Sequence, residues 1–172
     1  MEDDTDKLTF AYETHKQIIG WINNCDVKNG ILSALFGGLC ATTKFNPQAV
    51  STFYNESGVF MSFLLTALFI ALVVSMIFYV YNALKVVYPN IKFSKNNKES
   101  LIFYRSISSW ELEELRNRYR GLNKLRILEE LLAQIHANSQ ICTKKFENFV
   151  KAVKGIIWFF FFYVFLKFFP IW

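Results

Sequence analysis

Histidine, cysteine, proline and glycine are all scarce in this 172-residue chain, with two, three, three and seven copies. The histidines at 15 and 136 and the cysteines at 25, 40 and 142 form no set with the spacing of a zinc site. No glycine-rich phosphate loop is present, and no serine or cysteine nucleophile has a base near it. Catalysis is therefore not expected, nor is a metal or organic cofactor. Three cysteines on stretches that read as cytoplasmic or intramembrane imply no disulfide framework.

What the chain has is apolar and aromatic: 53% hydrophobic residues, 18% aromatic, with 19 phenylalanines. Residues 58–84 run for 27 positions without a charge, beyond the roughly 20 that cross about 30 Å of hydrocarbon. They lie far from the start and lack a small-residue cleavage site, so they read as a span and not a signal peptide. Residues 156–172 form a second, shorter span of 17 residues with Trp158 and Trp172 at its borders, the residue type favoured at headgroup level. Lys167 reads as a snorkelling lysine at the interface, the alternative being a charge facing a pore. Residues 27–45 are a third span. Gly30, Ser33, Ala34, Gly37, Gly38, Ala41 and Thr42 recur there at intervals of three and four, as in helices that approach closely in a bilayer. A re-entrant or amphipathic surface segment is the other reading of that stretch.

Charge sets the orientation. Residues 85–154 hold 14 Lys/Arg against 7 Asp/Glu, whereas residues 44–57 hold one of each. Basic loops stay cytoplasmic, which places 85–154 and the acidic first residues inside and 46–57 outside. The expected order is a cytoplasmic amphipathic helix (1–26), transmembrane helix 1 (27–45), an external loop (46–57), transmembrane helix 2 (58–84), a cytoplasmic helical sensing and oligomerisation region (85–154) and transmembrane helix 3 (155–172). The fold class is all-α: an oligomeric integral membrane protein with a cytoplasmic helical bundle.

The cytoplasmic parts carry helical periodicity. Leu8, Ala11, Tyr12, His15, Ile18, Ile19, Ile22 and Cys25 make one stripe, in which His15 reads as a packed, hydrogen-bonded histidine. Ser108-Ser109-Trp110-Glu111 has a capping-box pattern. Leu112, Leu115, Tyr119 and Leu122 then form one face, and a second seam runs through Leu125, Leu128, Leu132, Ile135, Ser139, Cys142, Phe146, Phe149 and Val153 with coiled-coil spacing. The seams fall out of phase near Gly121, predicting a break or bend there.

Three groups are candidate sites. Arg116, Arg118, Arg120 and Lys124, beside Arg126, form a basic cluster that attracts phosphates of nucleotides, nucleic acid or anionic lipid; the bland reading is a solvated face paired with Glu113, Glu129 and Glu130. Arg116, Arg120 and Lys124 share a face only if the helix continues through Gly121. Gln134, Asn138 and Ser139 form a polar notch in the seam, setting register and oligomer state or touching ligand. Asp26 and Lys28 flank the first span, as interfacial anchors or as part of a site at the membrane mouth.

A set of short motifs adds to this: Asp26-Val27-Lys28 with Gly30 and Leu32-Ser33, Tyr88-Pro89-Asn90, Leu101-Ile102-Phe103-Tyr104 with Ile107, then Gln134-Ile135, Ser139, Ile141 and Lys144-Lys145-Phe146. In this order, around the spans, they resemble the Pycsar effector transmembrane family, although Asn90 stands where that family tends to a basic residue and Arg105 where it tends to a small one. The resemblance implies a membrane effector of bacterial anti-phage defence, multi-pass in the inner membrane with its N-terminus cytoplasmic. Its signal would be a nucleotide or oligonucleotide from a partner nucleotidyltransferase or cyclase. Phosphates would meet Arg116, Arg118, Arg120 and Lys124, with Lys144 and Lys145 in support, and a base would stack on Tyr119 or Trp110. Three thin spans cannot enclose water alone, so a pore requires a homo-oligomer, here expected to be a tetramer in the lipid bilayer. The competing reading is a non-conducting anchor or scaffold that recruits a soluble partner through the coiled-coil face.

Overall fold

The computed structural model describes residues 2–42, 46–89, 101 and 104–169; Asn90, Ile102, Phe103, the end of the expected first span at 43–45 and Trp172 lie outside them. Every described secondary-structure element is a helix: α1 (Glu2–Ala41), α2 (Pro47–Glu56), α3 (Val59–Val87), α4 (Tyr104–Ile107), α5 (Leu112–Arg120) and α6 (Lys124–Leu166). The chain divides into two compact units, one formed by Met1–Asn24 and Pro89–Lys144, the other by Cys25–Tyr88 and Lys145–Trp172.

Several boundaries differ from the sequence reading. Residues 5–24 and the stretch from 27 onward are one unbroken helix of 40 residues. Asp26-Val27-Lys28 does not interrupt it, since none of the three is a helix breaker and an isolated glycine costs only about 1 kcal/mol. The expected external loop contains α2. Pro47 occupies its first turn, where a missing N–H costs nothing, and the Asn46 side chain accepts from the amides of Gln48 (3.1 Å) and Ala49 (3.3 Å). The capping box at Ser108 does not form: α5 starts one turn later, with Glu111 at its cap and no side-chain cap bond. Ser109 instead closes a turn, its hydroxyl donating to Ser106 O at 2.7 Å.

The break near Gly121 is present. α5 ends at Arg120, the Gly121 amide donates to Asn117 O, and α6 restarts after Asn123, whose side chain accepts from Arg126 N at 2.8 Å. Arg116 and Arg120 therefore lie on a different helix from Lys124, and the single basic face through Gly121 is not formed. From Lys124 onward α6 runs unbroken for 43 residues.

In the unit formed by Met1–Asn24 and Pro89–Lys144, Ala11, Ile18, Leu101, Leu131 and Cys142 are buried. Leu125 and Leu132 of the seam are exposed. Lys7, Phe10, Ala11 and Thr14 of α1 and Leu128, Leu132 and Ile135 of α6 line an open apolar groove of about 320 Å³.

The other unit packs α1, α3 and α6 around Phe36, Leu65, Leu72, Tyr79, Ala83, Ala152, Phe159 and Leu166. The Phe36 ring lies 4.3 Å from that of Tyr79 and 4.9 Å from that of Phe159. α2 joins through Phe53, 5.5 Å from Phe169. The close approach expected of the small-residue stripe on α1 is made elsewhere. A Cβ at Gly30, Gly37 or Gly38 would meet nothing within 4 Å, whereas one at Gly155 of α6 would lie 2.9 Å from Tyr79 Cα. Among the described residues two helices, α3 and α6, are long and apolar enough to cross a membrane. Their outer faces display Phe63, Ile70, Val73, Ile77, Ile157 and Phe160 to the surroundings, the reverse of a water-soluble pattern.

Candidate functional site

The basic cluster is displayed on short exposed pairs. Arg116 donates to Glu113 at 3.2 Å one turn earlier on α5. Arg118 donates to Glu114 through Nε (3.1 Å) and Nη2 (2.9 Å), and its guanidinium lies 4.5 Å from the Trp110 ring. Exposed pairs of this kind are worth about 0–1 kcal/mol, so an anion carrying two or more charges can displace the glutamates at small cost. Arg120 is exposed at the end of α5. Lys124 donates to Thr5 Oγ1 at 2.9 Å.

The two stacking candidates already have partners: Trp110 carries Arg118, and the Tyr119 hydroxyl donates to Leu101 O at 3.3 Å. The notch residues separate. Asn138 meets His15 Nε2 at 3.1 Å, which gives His15 the packed, hydrogen-bonded role expected of it, while Ser139 donates to the His136 carbonyl at 2.8 Å and Gln134 is half-buried. Lys144 and Lys28 are exposed.

Lys145 has a different role from its neighbour. Its side chain is 8% exposed and its ammonium donates to both carboxylate oxygens of Asp26, at 2.5 and 2.7 Å, joining α6 to α1. In sequence the two residues belong to separate candidate sites. The pairing was not legible because 119 residues separate them and nothing in local periodicity links them.

Around this pair lies a polar layer that the sequence reading did not assemble. Asn29, one turn after Asp26, donates to Ala83 O at 3.3 Å, and Asn148, one turn after Lys145, donates to Lys85 O at 3.4 Å. Proline at 89 explains the second contact. Four residues beyond Lys85 it supplies no N–H, so the Lys85 carbonyl lacks its helical donor and a side chain takes that place. Further along the same helices, the Tyr79 hydroxyl donates to Ser33 Oγ at 2.9 Å, and Asn82 and Ser75 bond back to Phe78 O and Leu72 O at 2.7 Å each. Ser75, Tyr79 and Asn82 share one face of α3 at intervals of four and three, opposite a face that is apolar and exposed.

Inward polar side chains on helices that are apolar outside define a helical membrane protein. The family comparison then places it: the Pycsar effector protein domain matches residues 10–172, and the chain belongs to that family. It is a transmembrane effector of anti-phage defence. Among curated proteins it is similar to the Pycsar effector protein GmPycTM of Gulbenkiania mobilis, with 23% identity over 170 residues, covering 86% of this chain and 84% of that protein. No solved structure matches.

Proposed function

We propose that this effector is a homo-oligomeric channel of the bacterial inner membrane, controlled by a nucleotide or oligonucleotide from a partner nucleotidyltransferase or cyclase. The chain does no chemistry of its own in this reading. Residues 27–41 of α1 serve as a third span beside α3 and the apolar end of α6, with the N-terminus cytoplasmic. Oligomerisation, as a tetramer, proceeds through the exposed seam residues of α6. Arg116, Arg118, Arg120 and Lys124 receive phosphates, with Lys144 in support, and the signal depolarises the membrane by shifting the open population according to its differential affinity for the two states.

The observation that carries this reading is the display of the exposed guanidinium groups of Arg116, on a weak exposed pair, and Arg120, beside the half-buried Arg118, in a chain whose α3 and α6 are of membrane length. Expression in bacteria together with the partner enzyme tests it with a membrane-potential dye. Depolarisation that is lost on replacing Arg116, Arg120 and Lys124 by Glu, at equal protein level, is expected. A potential that stays intact at every level of induction and signal overturns it.

The groove beside Phe10, whose side chain is 76% exposed, favours the second reading, a non-conducting scaffold that seats an apolar segment of a soluble partner. That reading requires an unchanged potential and a partner lost on substituting Phe10 and Leu132 by Asp.

A further inference from the structure

The Asp26–Lys145 pair and the polar layer around it have no part in binding phosphate, yet they hold a buried ammonium in the unit that carries the apolar spans, Lys145 being 8% exposed and its partner Asp26 44%. A buried ammonium is costly unless it is paired. The layer is rich in acceptor oxygen. Asp26 contributes a carboxylate and Asn29, on the same face one turn later, contributes an amide oxygen. The last turn of α3 contributes the carbonyl of Lys85, at the end where the helix dipole is negative. The Lys85 carbonyl, which has no helical donor, receives the Asn148 N–H and keeps a second lone pair, whereas the Ala83 carbonyl takes both the helical Val87 N–H and the Asn29 N–H. Asn29 is 4% exposed, and its Oδ1 has no hydrogen-bond partner among the described residues. One carboxylate with neutral oxygens is the donor set of a hard cation of single charge. The group bound at the carboxylate in this structure is the ammonium of Lys145, itself a compact cation on a flexible stem.

We propose that Asp26, with Asn29 Oδ1 and the Lys85 carbonyl, is a binding site for a small monovalent metal cation such as K⁺ or Na⁺, in which the Lys145 ammonium is the tethered resident. Withdrawal of Lys145 leaves a single negative charge among neutral oxygens, and a cation from solution enters. The assignment rests on the channel reading for what the site does, since a site that trades a tethered cation for a free one is a step in a cation path. It does not rest on that reading for what the site binds.

The test uses the full chain in detergent, with thermal unfolding followed in KCl and in N-methylglucamine chloride at equal ionic strength. Lys145→Met is expected to unfold several degrees higher in KCl, because a ligand that binds the folded state alone stabilises it. The wild type and the Asp26→Asn/Lys145→Met double variant are expected to show no difference between the salts. Lys145→Gln, of similar reach and able to donate a hydrogen bond, provides a second variant. If Lys145→Met and Lys145→Gln are equally stable in both salts, or equally unfolded in both, the cation site is overturned.

Flux separates the two claims. In potassium-loaded liposomes Lys145→Met is expected to leak without signal, whereas the wild type requires 3′,5′-cyclic mononucleotide, tried with each of the four bases. A wild type that never conducts overturns the channel reading, while the salt comparison still decides the site.

Discussion

At Gly155 the backbone of α3 comes so near that a Cβ would sit 2.9 Å from Tyr79 Cα, against main chain that has no flexible end to give way. Gly155→Ala is therefore expected to lose about 1–3 kcal/mol by overpacking, read as a lower unfolding midpoint in detergent. Gly37→Ala, where nothing lies within 4 Å, is expected to raise the midpoint slightly through helix propensity. The contrast shows what a sequence conceals at this scale. Glycine signals a possible close approach wherever it occurs. The glycine that matters here stands alone among aromatics, and the conspicuous run on α1 faces away from the core. Asp26 and Lys145 were each visible as charges near the ends of apolar stretches, but their union depends on tertiary placement. Tyr79 and Ser33 are alike: each is an ordinary residue of its helix until the 2.9 Å hydroxyl contact between them is seen.

For whole elements local rules were a better guide, where they were applied fully. Asn46-Pro47 is a helix start with both signals in order, a capping side chain followed by proline in the first turn, and α2 follows from it. Asn46→Ala is expected to cost about 1 kcal/mol of local stability. Amide exchange should quicken across 47–56 and stay unchanged in the middle of α3. At Ser108 the same kind of rule failed: the next residue, Ser109, spends its hydroxyl on the turn that follows α4, and α5 starts only at Leu112 with Glu111 at its cap. The break at Gly121 was legible from two hydrophobic seams falling out of phase, and Asn123 then begins α6 anew. Asn123→Ala is expected to loosen the first turn of α6, raising amide exchange at 124–127 while leaving exchange near Leu131 unaffected.

For the molecule as a whole, the apolar outer faces of α3 and α6 make the firmest forecast. Val73 lies at the middle of α3 and is exposed. Val73→Arg is expected to oppose insertion by about 2.5–3.5 kcal/mol, so that the carbonate-resistant fraction falls sharply. Leu125→Arg, also exposed but at the start of α6, is expected to leave insertion unchanged. Membership of the family was readable from the order of short motifs around the spans, because it needs no knowledge of side-chain contacts. Forty-three residues at 1.5 Å each give α6 a contour of about 65 Å, roughly twice the hydrocarbon thickness of a bilayer. One rod must therefore change solvent partway along, and tolerance must invert with it: a glutamate scan should be harmless on outward positions of its first half and ruinous on those of its second, with a single crossover marking the water line.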